Sequence, residues 1–355
     1  MTTRTASLSP PRVTLVVPNY NHARYLPESL GSIARQTRAP DRVLIIDDCS
    51  TDDSIAVISR FLVDNPTWQL IRHQTNQGVV RGQNEALAIA DTDWIGFLGA
   101  DDALHPSYLE KALAQATRFP EAGLTCACCE IIGPTGASNA RMLRPIMLPA
   151  PQSTMLQPAD VRRILLAGDN YFSGTVSLYR REALQALGGF DVSLGSFSDA
   201  FLARRLALTY GFYFIAEILG YWRIHGQNYS TATATDPTAL ETKLAEISAR
   251  ISGSILFPPG YGALFARRNR FGAVRMVLGT DAPASAKAAH AAALLDGGPF
   301  DAHLLRLLLG LGTPGRLAAL AWATLRTRPM SLTRLLAQRA RRSAIVAATP
   351  AYRAP

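Results

Sequence analysis

"WIGFLGADDAL", residues 94–104, decides how the rest of the chain is read. Its first half is a short apolar run, the composition of a strand buried on both faces. Its second half sets Asp101 beside Asp102 as soon as that run ends. Adjacent carboxylates repel, so a fold keeps them for a solvated turn or for a cation. Two more stretches share the strand pattern, "RVTLVV" (12–17), bounded by Pro18, and "RVLIID" (42–47). Helical faces lie between them: Leu26, Leu30 and Ile33, with Pro27 tolerated in the first turn; then Ile55, Ile58 and Leu62; then Leu87 and Ala90, in a helix beginning near Val80. This alternation predicts an α/β sheet with right-handed crossovers, whose ligands sit beyond the carboxyl ends of the strands. The polar residues obey that rule. "NYN" (19–21) follows the first strand, Asp47 and Asp48 end the second, and Asp101 and Asp102 follow "WIGFL".

The chain has 355 residues, 48% hydrophobic and 18% charged, enough for one large core or two modest domains. No run of about 18 apolar residues predicts a membrane span, and the polar N-terminus does not read as a secretory signal. Residues 1–11 are expected to be a flexible N-terminus. Three of the four cysteines crowd into "TCACCEII" (125–132), which alternates like a buried strand and lacks zinc-site spacing. Reduced structural thiols in a cytoplasmic protein are the expectation. Charge is unevenly placed: residues 256–355 carry 14 Lys and Arg against 3 Asp, a net +11, so the first 255 residues sum to −2. Two regions with different partners are implied.

Further along, residues 133–158 are rich in Pro, Ser and Gly and read as a long excursion or flexible loop. A helix near 158–167, a strand near 172–179, the turn "LGGFD" (187–191), a helix from about Asp199 to Tyr210 and two strands, "FYFI" and "GYWRI", should follow. From Pro237 the pattern is helical, broken at "PPG" (258–260), "GGP" (297–299) and "TPG" (313–315).

The turn after the first strand reads "PNYNHA", with none of the glycines of a dinucleotide fingerprint, and no P-loop is present. A phosphate ligand would need another neutralising group, and a divalent cation held by Asp102 would serve. Taken in order, "VTLVVPNYNHARYLPESLGSIARQT", "VLIIDDCSTDDS", "NQGVVRGQNEAL", "FLGADDALHP", "LGGFD…SDAFLARRLA" and "YWRIHGQNYS" resemble an inverting family 2 glycosyltransferase. The resemblance covers about residues 12–231. It implies the GT-A fold, an α/β/α sandwich with a mostly parallel sheet, with residues 12–120 as nucleotide-binding half and 121–231 as acceptor half. Residues 236–355 match no such pattern and form a basic helical extension.

The same resemblance assigns roles. Pro18, Tyr20 and Asn21 would line the base pocket, and Asp48 would accept the imide N–H of uracil or thymine. Gly78 and Arg81 would flank the nucleotide, with Asn84 capping or bracing their helix. Asp101 would face the ribose and Asp102 would bind Mn²⁺ or Mg²⁺ bridging the diphosphate. Arg223 and His225 would contact the diphosphate or the metal, and Asp199 would be the base that deprotonates the acceptor. The chemistry asks for these residue types: a departing diphosphate needs cationic charge placed in advance, and a sugar hydroxyl needs a carboxylate opposite the leaving group. The implied partners are a nucleotide-sugar donor, such as a UDP- or dTDP-sugar, and a glycan or lipid-linked glycan acceptor, as in surface polysaccharide synthesis, with no nucleic acid.

Plainer readings stand beside these. Asp48 and Asp52 suit helix caps. Asp101–Asp102 and Asp191 suit turns, Arg223 a structural ion pair, and His225 a strand-end histidine. Three positions depart from the family pattern. Gly99 replaces a frequent third carboxylate, Ser198 a frequent Glu before the base, and Gln83 an Arg before Asn84. A catalytically inactive relative acting as a binding module is therefore the alternative of another class. In the C-terminal region leucines and arginines mix at helical spacing with no acid after Asp301. Two readings stay open there: a helical subdomain with arginines in water, or helices lying on an anionic membrane surface, which would put the protein on the inner face of the plasma membrane.

Overall fold

The computed structural model describes residues 10–169, 171–225, 228, 236–279, 282–327 and 332–350. The expected N-terminal tail lies outside them up to residue 9, as does most of the stretch 226–235. Two compact units make up the chain. The first comprises Met1–Val161, Asn170–His225 and Gln338–Pro355; the second comprises Arg162–Asp169 and Gly226–Ala337.

The first unit is built on one sheet. Its strands are β1 (Val13–Asn19), β2 (Arg42–Asp47), β3 (Trp68–Arg72), β4 (Trp94–Phe97), β5 (Ala103–Leu104), β6 (Leu124–Ile132), β7 (Ser138–Arg144), β8 (Thr154–Leu156), β9 (Ser177–Arg180) and β10 (Phe212–Arg223). The order is β3-β2-β1-β4-β9-β6-β10-β5, with β7 on β6 and β8 on β10. β3, β2, β1 and β4 are parallel, as are β6 and β10; antiparallel β9 joins the two sets. The carboxyl ends of β1, β2, β3, β4, β6 and β10 therefore share one edge. The helices are α1 (Leu26–Ala34), α2 (Ser54–Asp64), α3 (Val79–Ile89), α4 (Tyr108–Arg118), α5 (Pro158–Ala167), whose residues from Arg162 on belong to the second unit, α6 (Arg181–Ala186) and α7 (Ser198–Tyr210). Leu26, Leu30 and Ile33 of α1 are fully buried in the core with Val13, Leu15 and Val17 of β1. At Gly96 of β4 a Cβ would lie 2.7 Å from the Leu178 Cδ2 and 2.9 Å from the Leu15 Cδ2, so glycine leaves room for these two leucines to pack over the strand.

Several expectations need correction. The excursion 133–158 carries β7 and β8, because the glycine turn at Gly133–Gly136 folds the chain back on β6. "FYFI" and "GYWRI" belong to one strand, β10, whose pairing with β6 shifts register between Phe214 and Gly220. Near 172–179 the chain first makes a 3-10 turn, Gly174–Val176, and only then β9. "TCACCEII" is buried on both faces rather than alternating. Its Cys126, Cys128 and Cys129 are free thiols, and burial pushes that of Cys126 up to about 11.

The second unit contains α8 (Pro237–Ser252), α9 (Tyr261–Gly279), α10 (Ala284–Leu294), α11 (Pro299–Leu309) and α12 (Gly312–Thr327). Asp236 caps α8 by accepting from the Thr238 and Ala239 N–H groups. Leu240, Leu244, Ile247 and Ile251 form its buried stripe, and Arg270 of α9 pairs with both oxygens of Glu241. The break expected at "TPG" falls a few residues earlier, at Gly310–Leu311, and "TPG" lies in the first turn of α12. The last helix, α13 (Leu332–Ala348), does not stay with the extension. Its later part belongs to the first unit, where Gln338 exchanges hydrogen bonds with the Leu148 backbone and Arg342 donates to the Leu143 and Ile146 carbonyls.

Candidate active site

The loops after β1 and β2 are stapled by "NYN". Asn19 donates to Asp47 (2.8 Å) and to Ser50 Oγ (3.1 Å). Asn21, at φ 57°, accepts from the Thr51 N–H at 2.7 Å while its own N–H reaches Ser50. Between these two fixed asparagines Tyr20 is 45% exposed on the ligand edge. Pro18 sits in β1, in register with Ile46.

Asp48 is more occupied than expected. Oδ1 accepts from the Gln77 N–H (2.8 Å) and meets His73 Nδ1 (2.7 Å); Oδ2 accepts from the Gly78 N–H (2.8 Å). A carboxylate offers about four acceptor sites, so roughly one remains for a base. His73 in turn meets Glu85 at 2.8 Å through Nε2. An imidazole facing a carboxylate at each nitrogen satisfies both only as imidazolium. Burial alone would lower the His73 pKa, but the hydrogen bonds to Asp48 and Glu85 outweigh it and raise the value. Gly78 takes φ 88°, which lets the loop turn into α3 with its N–H on Asp48. Arg81 is exposed on α3. Asn84 braces, as one reading had it, by bonding the Phe190 N–H and C=O.

The paired aspartates are split between two environments. Asp101 Oδ2 lies 2.9 Å from His225 Nε2. His225 stacks on Tyr25 with 5.0 Å between ring centroids, and His22 meets His225 edge-on at 5.6 Å. His22, Asp101 and His225 bring ligand atoms within 4.8 Å of one another, the one such group among the described residues. Burial lowers the His22 pKa, which favours the neutral imidazole a metal requires. Asp102, expected to be the metal ligand, is turned inward. It accepts from Thr175 Oγ1 (2.7 Å) and the Arg223 N–H (2.9 Å). Burial, with Asp101 alongside, pushes its pKa well above the carboxylate range. The cause is the pairing of β5 with β10, which slides the Arg223 backbone under Asp102. Asp101, expected at the ribose, is the member that faces the imidazoles. A side chain at Gly99 would meet Asp101 Oδ1 at 2.8 Å, so that position looks into the same space.

Arg223, expected on the diphosphate, is a buried strut. It pairs with Glu28 at 2.6 Å, donates to the carbonyls of Asp101 (2.8 Å) and Gly133 (3.1 Å), and lies over the Tyr25 ring. Asp191 is the turn residue of the plainer reading, accepting from Ser193. Ser198 begins α7 and makes no cap; its buried hydroxyl has no partner among the described residues. Asp199 lies in the first turn of α7, with Oδ2 about where a Gly174 side chain would reach, at 3.1 Å. Burial raises its pKa against the lowering effects of the Ala200 N–H and Arg204. The 3-10 turn thus touches Asp199 through Gly174 and Asp102 through Thr175.

Sequence reasoning passed over His22, Glu28, His73, Glu85 and Thr175. Two of them were within reach of the strand-end rule. His22 directly follows "NYN", and His73 is the first residue past β3.

The chain resembles known proteins in sequence and in fold. Residues 14–188 match the model for Glycosyl transferase family 2. An uncharacterized glycosyltransferase of Nostoc sp. is 28% identical over 259 residues, 71% of this chain and 78% of its own length. The PGL/p-HBAD biosynthesis glycosyltransferase of Mycobacterium tuberculosis H37Rv is 34% identical over 112 residues, 32% of this chain and 43% of its own. Among solved structures, S. aureus TarS in complex with UDP-GlcNAc aligns with a TM-score of 0.59 at 17% identity, covering 89% of this chain and 91% of that one. The mannosyltransferase PcManGT from Pyrobaculum calidifontis, in complex with GDP-Man and Mn2+, aligns at 0.56 and 21% identity, covering 95% and 88%. The fold is the mixed α/β, GT-A type with a helical C-terminal region. Residues 14–188 form a glycosyl transferase family 2 domain, and the protein is a transferase.

Proposed function

We propose that this transferase moves a sugar, with inversion, from a uridine or thymidine diphosphate sugar to a glycan or lipid-linked glycan. The observation that carries the reading is that the Gly174–Val176 turn adjoins both candidate centres: Thr175 holds Asp102, the chain neighbour of Asp101 in the His22–Asp101–His225 group, and Gly174 lies against the buried carboxyl of Asp199. The donor reading draws on the exposed Tyr20 ring and the free acceptor site on Asp48. The related structures bound to UDP-GlcNAc and to GDP-Man support a nucleotide-sugar donor as a class. Buried thiols and a nucleotide-sugar donor support a cytoplasmic site of action.

A divalent metal fits these residues. Two imidazoles and one carboxylate suit Mn²⁺ better than Mg²⁺, which prefers oxygen throughout. When bound, such a cation neutralises charge on the diphosphate. His22, Asp101 and His225 would hold it, while Arg223 fixes the Asp101 backbone from below. Asp199 takes the proton of the acceptor hydroxyl as that oxygen bonds to the anomeric carbon and the carbon–diphosphate bond breaks. One displacement with one base inverts the configuration. The raised pKa of Asp199 makes it a stronger base than a helix N-terminus alone would allow.

The test uses Asp199→Asn and a panel of UDP- and dTDP-sugars, read by donor hydrolysis, in which water replaces the acceptor. We expect hydrolysis to fall at least ~100-fold, with UDP affinity by calorimetry in Mn²⁺ unchanged. A folded variant hydrolysing donor at the wild-type rate would remove Asp199 from the base role.

A further inference from the structure

We propose that α11 and α12 form a docking surface for an anionic lipid bilayer. The two helices bury one side and leave the other uncovered. α12 turns Gly315, Ala319, Ala323 and Thr327 inward at a strict spacing of four. Leu317 and Leu325, two residues off that register, therefore point the opposite way. α11 buries Asp301 and Leu305 and leaves Phe300 and Leu307 outside, with Leu311 just past its end. These five apolar side chains stand 58–68% exposed. Small residues on the inner side of α12 bring it close to α11: a side chain at Gly315 would collide with the Leu308 carbonyl.

Charge identifies the occupant. Arg306 and Arg316 are exposed and directly adjoin Leu307 and Leu317. Each therefore lies about 100° from its leucine around the helix, at the flank of the apolar stripe. Asp301 is the last acid in the sequence, and it is buried. Trp322 donates to one of its oxygens at 2.7 Å and Arg326 to the other at 3.2 Å. Phe300 rests edge-on against Trp322. Beyond Asp301 the chain thus offers no anion, only leucines bordered by arginines. That is the pattern of a helix lying in an interface, apolar face in the acyl boundary and cations among anionic headgroups. No described helix is long and apolar enough to cross a membrane, so the contact is peripheral. A protein partner of neutral surface would leave the flanking arginines unused. A nucleic acid would leave the leucines unused.

The full chain is tested by flotation with vesicles of phosphatidylcholine alone and of phosphatidylcholine mixed with phosphatidylglycerol. Wild type should float with the mixed vesicles at low salt, stay down with the neutral ones, and detach as salt is raised. Leu317→Glu/Leu325→Glu should weaken partition at least ~10-fold. Arg306→Gln/Arg316→Gln should weaken it roughly fivefold per charge and flatten the salt dependence. UDP binding should be unchanged in both, which reports folding independently of the membrane result. Wild type remaining unbound, or the leucine variant floating like wild type, would overturn the proposal. So would a dimer in solution that the leucine variant dissolves, or tighter binding to RNA than to the vesicles.

Discussion

Two pairs of arginines, one in each unit, are held in opposite ways. In the sheet unit Arg223 is buried, its guanidinium tied to Glu28 and to backbone carbonyls, and Arg342 likewise caps two carbonyls. In the helical unit Arg306 and Arg316 stand in water beside exposed leucines. A cation fixed by several partners sets geometry, whereas one left in solvent sets only a field. The first kind belongs to a site built to ångström tolerance. The second suits a partner that has no fixed shape.

The sharpest way to break that contrast is to remove the fixed cation. Arg223→Met takes the guanidinium away from half-buried Glu28 and cuts loose the backbone of Asp101. We expect a loss of about 3–5 kcal/mol in urea unfolding, against no measurable change for Arg306→Gln. Equal, small effects at both positions would mean that the strut is ornamental.

A smaller effect is expected at His73, where charge and geometry are joined most closely. Its pKa is raised in the folded protein, so folding takes up a proton. The stabilisation it brings is complete below the unfolded imidazole value of about 6.5 and fades as pH rises through the higher folded value. Asp48 and Glu85 are the carboxylates facing the ring. Comparing urea unfolding of wild type and His73→Gln across that window should show wild type losing its advantage with rising pH, by no more than about 1.4 kcal/mol per pH unit. Parallel pH profiles for the two proteins would contradict an imidazolium between Asp48 and Glu85.

The contrast also explains what could be read from sequence. β2 runs over the very residues of "RVLIID", because an apolar run bounded by polar residues leaves one register to choose. The strand-end rule likewise put Asp48 and Asp101 on the ligand edge, since backbone position alone decides that; His225 came only with the family resemblance. The rule could not say which aspartate of the pair faces the imidazoles. That depends on the pairing of β5 with β10, between residues more than a hundred positions apart. Nor could it choose between the diphosphate and an ion pair for Arg223, because its partner, Glu28, sits on α1, far off in sequence. In the helical unit the net charge was plain from composition, but which leucines stay exposed required the packing of α11 and α12. The small-residue stripe from Gly315 to Thr327 was the available sign.

The proposed metal site rests on Asp101 and two imidazoles rather than on Asp102. Electron spin echo envelope modulation of Mn²⁺ bound with UDP tests it directly, because nitrogen nuclei coordinated to manganese modulate the echo. Wild type should show nitrogen modulation, His22→Ala and His225→Ala should reduce it, and Asp101→Asn should lose bound manganese. Manganese bound tightly with no nitrogen modulation, and released by Asp102→Asn but not by Asp101→Asn, would contradict it.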